Sequence, residues 1–181
     1  MDKKSISEQT LIEDCKRNKA SAQKQIYDLY APQMLGVCVR YVSDRETARD
    51  VLQEGFIKLF TKIDSYAGGS FYAWMRRIFV TTALETLRQQ NVLRFAANID
   101  DYNEAFEDGN ASVIDKISEK DLMNCITELP EGYRTVFNLY AIEGYSHAEI
   151  ATMLKIEEST SRSQFSKARK LLREKIDKNY V

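Results

Sequence analysis

Apolar positions recur at helical spacing in two blocks of the chain, separated by a stretch in which that period is lost. In the first block, residues 5–18 form a mostly polar opening helix. Ala20 to Tyr41 carries Ile26, Leu29, Tyr30, Met34 and Val37 and predicts a longer one, with Pro32 a point at which it kinks or restarts. Ser43, with Glu46 three residues on, has the form of a capping box and opens a third helix to about Ile63. The segment "DSYAGGS", 64–70, is a turn, and a fourth helix runs from Phe71 to about Gln90.

In the second block, Ser146 with Glu149 is again a capping box, and Ile150, Ala151 and Leu154 give a short helix its inner face. A turn "KIEE" follows, with Ile156 filling the space between two helices, and Ser159 or Glu157 caps the second. Phe165, Ala168 and Leu172 face inward; Thr160, Ser161, Arg162, Gln164 and Lys167 are left to point out. A short helix, a tight turn and a basic helix make the outline of a helix-turn-helix. Near the start of such a helix, arginine and glutamine form paired hydrogen bonds to guanine and adenine edges in the major groove. Ser159, Thr160, Ser161, Arg162 and Gln164 are therefore candidate base-edge residues, while Lys167, Arg169, Lys170 and Arg173 would meet phosphates. A solvated basic surface is the bland reading of the same helix.

Two further faces lie in the first block. On the third helix, Leu52, Gly55, Phe56, Leu59, Phe60 and Ile63 fall on one stripe, the core. Opposite lie Asp50, Gln53, Glu54, Ile57, Lys58 and Thr61. An apolar Ile57 amid carboxylates and an amide suits a protein-docking anchor, although a lone exposed isoleucine is also ordinary. On the fourth helix, Trp74, Arg77, Thr81 and Arg88 share a stripe. Arginines that hold phosphates beside a ring that stacks on bases suit single-stranded or distorted nucleic acid. A core tryptophan beside solvated arginines fits the same spacing. The loop before it, with Ser65, Tyr66, Gly68 and Gly69, could pocket a base drawn from the stack.

Composition narrows the function classes. The 181 residues are 44% hydrophobic and 29% charged, with two prolines and seven glycines, which favours an all-α protein. Cys15, Cys38 and Cys125 are scattered, and with the single His147, read as a surface imidazole, no metal-ligand spacing arises. No phosphate-loop or dinucleotide pattern is present either, so the expectation is no enzyme, no metal and no cofactor. No run is long and apolar enough for a membrane span and no signal peptide opens the chain, giving a cytoplasmic protein as the expectation. The net charge of -1 conceals a division. Residues 96–131 hold ten acids against two bases, whereas 159–175 hold six bases against one acid. Screening beyond about 8 to 10 Å leaves the local field of the basic helix to decide phosphate contact.

These pieces, in this order, resemble the extracytoplasmic-function (ECF) sigma factors of bacterial RNA polymerase, over nearly the whole chain. "ARDVLQEGFIKLF", 48–60, is similar to the helix that docks on the β′ clamp helices; "GSFYAWMRRIFVTTALETLRQQ", 69–90, to the helix that opens and reads the -10 element. "LPEGYRTVFNLYAIEGYSHAEIATMLKIEESTSRSQFSKARKLL", 129–172, is similar to the domain that reads the -35 element. The resemblance implies two small helical domains, an N-terminal helical bundle over 1–95 and a C-terminal helix-turn-helix bundle over 119–181, joined by a flexible acidic linker over 96–118. It implies polymerase docking by Asp50, Gln53, Glu54, Ile57 and Lys58, and -10 contact by Ser65, Tyr66, Gly68, Gly69, Trp74, Arg77, Thr81 and Arg88. It assigns -35 contact to Ser159, Thr160, Ser161, Arg162, Gln164, Lys167 and Arg169. Partners would be the polymerase core, through the β′ clamp helices and the β flap, promoter DNA, and an anti-sigma factor where one exists. Three positions depart from the family pattern: Thr81 where asparagine is usual, Lys155 in place of a turn glycine, and Ser161 where an apolar residue usually packs. An autonomous helix-turn-helix regulator, or a sigma-like interaction module that reads no promoter, are the rival readings.

Overall fold

A computed structural model of the chain describes residues 7–89 and 118–180. Among these every regular element is helical, as the periods predict. The expected linker, 96–118, lies outside the described residues apart from Ser118. The chain divides into two compact units, Met1–Leu87 and Arg88–Val181.

The first unit opens with α1 (Glu8–Lys16), capped by Ser7, whose Oγ accepts from the Thr10 amide at 3.2 Å. Although largely polar, α1 buries Leu11, Ile12 and Cys15. The long α2 (Ala20–Val42) continues through Pro32, which sits on its exposed side, so the proline does not restart the helix. It ends at Ser43, and α3 (Arg45–Thr61) begins at once. The expected capping box at Ser43 does not form, and the helix is capped one residue further on. Reversing the chain in two residues requires one of them in the left-handed region, and Ser43 takes it at φ 54°. Asp44 then becomes the cap, accepting from the Thr47 amide at 2.7 Å, and Glu46 is left in the first helical turn.

A 3-10 turn (Ile63–Ser65) and the glycine loop lead into α4 (Phe71–Gln89). Ser70 Oγ accepts from the Ala73 amide at 3.2 Å at its start. The core gathers Met34, Cys38, Tyr41, Leu59, Met75 and Phe79, all essentially inaccessible to solvent. Burial of a side chain such as Met34, Leu59, Met75 or Phe79 contributes about 1.5–3 kcal/mol. Phe56 links three helices: its ring centre is 4.7 Å from Tyr27 on α2 and 5.0 Å, edge to face, from Phe79 on α4. Close passage of α3 over Phe79 depends on Gly55, where a Cβ would come within 2.4 Å of the phenyl ring.

The second unit contains α5 (Glu119–Thr127), α6 (Glu131–Phe137) with a π-helical extension (Asn138–Ile142), α7 (His147–Leu154) and α8 (Glu158–Tyr180). Ser118 caps α5 through the Asp121 amide. Cys125, Ile126 and Leu129 pack against Ala168, Leu172 and Ile176 of α8. The buried Arg134 spends Nη1 on the carbonyls of Thr127 and Leu129, each at 2.9 Å, so the α5–α6 corner is pinned by charge-assisted bonds. Lys175 Nζ reaches Glu128 at 2.6 Å and ties α8 to the same corner.

Candidate docking and nucleic-acid surfaces

On α3, Asp50, Gln53, Glu54 and Ile57 are all exposed, and their spacing places them along one face. Ile57 is 61% exposed, while Val51, Leu52, Gly55, Phe56 and Leu59 are buried on the other side. No described residue of its unit covers Ile57, so the face presents an apolar centre between carboxylates. Lys58 differs from the other four expected docking residues. Its Nζ donates to Glu85 of α4 at 2.7 Å and stands 3.4 Å from Glu54. Burial works against the ammonium, but the bonds to Glu85 and Glu54 outweigh it and hold its pKa above the usual lysine value.

The expected -10 residues fall on α4 and the loop before it. Arg77, Thr81 and Arg88 are exposed, and Trp74, half-buried, begins the same stripe. The Thr81 hydroxyl donates to the Arg77 carbonyl at 2.8 Å, so what it offers outward is a methyl group and an acceptor oxygen. In the loop, Gly68 and Gly69 have φ of 109° and 89°, with no neighbour near where a Cβ would stand. Backbone conformation, not crowding, calls for glycine there. Ser65 is exposed, its Oγ donating to the Lys62 carbonyl at 2.6 Å.

Tyr66 is a correction to the expectation of a loop contact. Only 6% exposed, its ring lies 5.3 Å from both Phe71 and Trp74, and its hydroxyl donates to the Gly69 carbonyl at 2.6 Å. It shapes the loop from within. Lys16 of α1, which sequence reasoning did not single out, donates to the Tyr66 carbonyl at 3.4 Å. The two are 50 residues apart and no periodic signal connects them.

In the helix-turn-helix, Ser146 and Glu149 form the predicted reciprocal cap: the Glu149 amide donates to Ser146 Oγ and the Ser146 amide to Glu149 Oε2. Lys155 takes the left-handed conformation (φ 57°, ψ 48°) that glycine would supply, so the turn keeps its form. The Ile156 amide closes it on the Ala151 carbonyl at 3.1 Å. α8 begins at Glu158, which places Ser159 inside the helix and leaves Glu157 in the position preceding it.

Exposure along α8 overturns two -35 residues. Ser161 is fully buried and Gln164 is 8% exposed. Ser161 extends the inward ladder of Phe165, Ala168 and Leu172 by one helical turn, and Gln164 lies beside Phe165 one turn before Ala168, at positions where polarity in the sequence pointed to the outside. Ser161 Oγ shares a 2.9 Å hydrogen bond with Nδ1 of His147, itself buried against expectation and stacked on Tyr140 at 4.3 Å. Burial first, then Arg162, lowers the His147 pKa below its ordinary value, against a smaller opposing pull from Glu158. The shift favours the neutral ring. The outer surface of early α8 consists of Ser159, Arg162 and Ser163, with Thr160, Ser166 and Lys167 half-buried beside it. Ser163 and Ser166 were absent from the expected set; their spacing of four and seven from Ser159 was the signal. Arg169 is exposed, its guanidinium 5.9 Å from the Phe165 ring centre.

No metal-binding cluster occurs among the described residues, and none of their helices is long and apolar enough to cross a membrane.

The sequence and the fold both have known relatives. The Sigma-70 region 2 family model matches residues 26–92, and the Sigma-70, region 4 model matches residues 119–172. An ECF RNA polymerase sigma-E factor of Haemophilus influenzae is 31% identical over 182 residues, covering 94% of this chain and 96% of the relative. The RNA polymerase sigma-H factor of Pseudomonas aeruginosa is also 31% identical over 182 residues, covering 94% and 92%. The fold resembles that of the sigma factor RpoE solved with the anti-sigma factor NepR from Bartonella quintana. There the TM-score is 0.51 at 21% identity, over 87% of this chain and 98% of that one. CnrH, solved with the cytosolic domain of CnrY, gives a TM-score of 0.50 at 18% identity, over 93% and 96%.

Proposed function

The chain belongs to the sigma-70 family, in its ECF group, and on that premise we propose that it directs RNA polymerase to promoters through three surfaces. The exposed α3 face of Asp50, Gln53, Glu54 and Ile57 docks on the β′ clamp helices of the core enzyme. The stripe of Trp74, Arg77, Thr81 and Arg88, with the loop at Ser65, Gly68 and Gly69, holds melted -10 DNA. The outer surface of α8, led by Arg162, reads the -35 duplex in the major groove, while Lys167 and Arg169 position it on phosphates. The chain carries no catalytic group in this scheme; phosphodiester chemistry belongs to polymerase, and the site of action is the cytoplasm. Residues 1–95 act as the docking and melting domain, 119–181 as the -35 domain, and 96–118 as their acidic tether.

The observation that carries this reading is Ile57: a helix otherwise amphipathic presents an isoleucine 61% exposed at the centre of an acidic and amide face. An autonomous DNA-binding regulator does not require such a face. A net charge of -1 also fits a subunit whose DNA contacts are shared with polymerase. An anti-sigma factor, where one exists, would compete for the α3 face. The test is reconstituted transcription with core polymerase on a library of genomic promoters. Promoter-specific initiation that depends on this chain is the expected result, and tight promoter binding without polymerase would contradict the division of labour.

A further inference from the structure

Helices α3 and α4, which carry the docking and promoter faces, are joined at two places. At the first, the Phe79 ring lies against Gly55, too close for any Cβ, and meets Phe56 edge to face at 5.0 Å. At the second, Lys58 Nζ bonds Glu85 at 2.7 Å. The attachments are three residues apart on α3 and six apart on α4, about 4.5 and 9 Å along the axes. This apolar contact holds the helices together but carries no directional bond, so it resists separation more than rotation. The second, directional and charge-assisted, fixes the crossing angle.

Glu54 connects this brace to the docking face. It lies within 3.4 Å of Lys58 and is itself exposed beside Asp50 and Ile57. The face is acidic, so the partner that fits it brings cations. A cation arriving at Glu54 competes with Lys58 for that carboxylate and leaves the ammonium to Glu85.

We propose that the Glu54–Lys58–Glu85 chain sets the pose of the α4 promoter face against the α3 docking face, and that Lys58 is a positioning residue, not a polymerase contact. The inference rests on the assignment of the two faces made above. In this scheme docking strengthens the bond that orients the helix holding melted DNA, so that occupancy of one face prepares the other.

The test compares Lys58→Met, Glu85→Gln and Lys58→Arg in the full chain, with two readouts: affinity for core polymerase, and the rate of promoter opening at saturating sigma factor. Lys58→Met and Glu85→Gln are expected to slow opening by about two- to fivefold, the range of a partly exposed ion pair, with core affinity unchanged within about twofold. Lys58→Arg should retain the parental rate. Weakened core binding by Lys58→Met but not by Glu85→Gln would make Lys58 a direct contact and overturn the proposal. So would unchanged opening at saturation in both variants. A parent chain unable to direct initiation at all would instead remove the functional reading beneath it. Thermal unfolding of each variant separates a shift of pose from loss of fold.

Discussion

His147 Nδ1 and Ser161 Oγ share a 2.9 Å hydrogen bond between the two helices of the helix-turn-helix, both side chains out of solvent. The family resemblance predicts an apolar residue at the position of Ser161. A polar pair fills this space instead, with each member satisfying the other across the two helices. The pair is interdependent. Ser161→Ala leaves the buried ring nitrogen without its partner and should destabilise the C-terminal unit by about 1–3 kcal/mol. The double variant with His147→Leu should recover part of that loss, because removing both polar groups is less costly than orphaning one. Hydrogen exchange of α7 and α8 amides in the full chain reads both outcomes.

The same pair gives the C-terminal unit an acid-sensitive stability. The folded pKa of His147 is lowered from 6.5 by burial and by Arg162. Below pH 6.5 the unfolded chain therefore binds a proton that the folded chain resists. This contribution is complete above that pH and declines as the pH falls through and below it. His147 is the only histidine, so the effect has one source in that range. The urea midpoint of the C-terminal unit, followed by pulse proteolysis of the full chain, should fall between pH 7 and pH 5.5. A His147→Gln variant should show a flatter profile.

Two glycines in helices should respond in opposite directions to the same substitution. At Gly55 a methyl group would stand 2.4 Å from the Phe79 ring, and the overpacking, about 1–3 kcal/mol, exceeds the roughly 1 kcal/mol gained in helix propensity. At Gly36, in α2, nothing lies within 4 Å, and Gly36→Ala should stabilise by about 0.5–1 kcal/mol. Thermal melts of the two single variants decide the signs.

Lys155 holds the left-handed position of the turn at φ 57°. An unbranched side chain tolerates that region at a cost of about 1–2 kcal/mol relative to the right-handed one, whereas glycine does so freely. Lys155→Gly should leave the turn intact and raise the stability of the C-terminal unit slightly. Lys155→Val, β-branched, should lower it by more than Lys155→Gly raises it. Pulse proteolysis at fixed urea ranks the three chains.

What the sequence revealed, and what it hid, divides along local and non-local lines. The capping box at Ser146 and Glu149 involves residues three apart, and the inward positions Phe165, Ala168 and Leu172 follow the helical period, so both were legible. The shift of the α3 cap from Ser43 to Asp44 was not, since both residue types cap helices and only the two-residue chain reversal chooses between them. Tyr66 resting on Trp74 depends on a loop folding back on itself. The Lys58–Glu85 bond spans 27 residues, and nothing in the spacing of either helix points to its partner. Ser161 and Gln164 misled because polarity was read as exposure, while the ladder continued through them.

That last distinction yields a direct contrast between two neighbouring residues of α8. Arg162 is exposed at the start of the helix and pairs there with Glu158. Gln164 is buried, and its Oε1 has no hydrogen-bond partner among the described residues. If Arg162 reads a base edge from the major groove, Arg162→Ala removes about 1–3 kcal/mol of discrimination at one -35 position, roughly five- to 150-fold. Initiation would then tolerate other bases there, with the remaining positions still read. Gln164→Ala removes no groove contact; it deletes a buried polar group and should change stability without changing which -35 sequence is preferred. Transcription from a promoter set varied one -35 base at a time separates the two. Relaxed preference with Gln164→Ala and unchanged preference with Arg162→Ala would show that α8 enters the groove on a different face from the one exposed here.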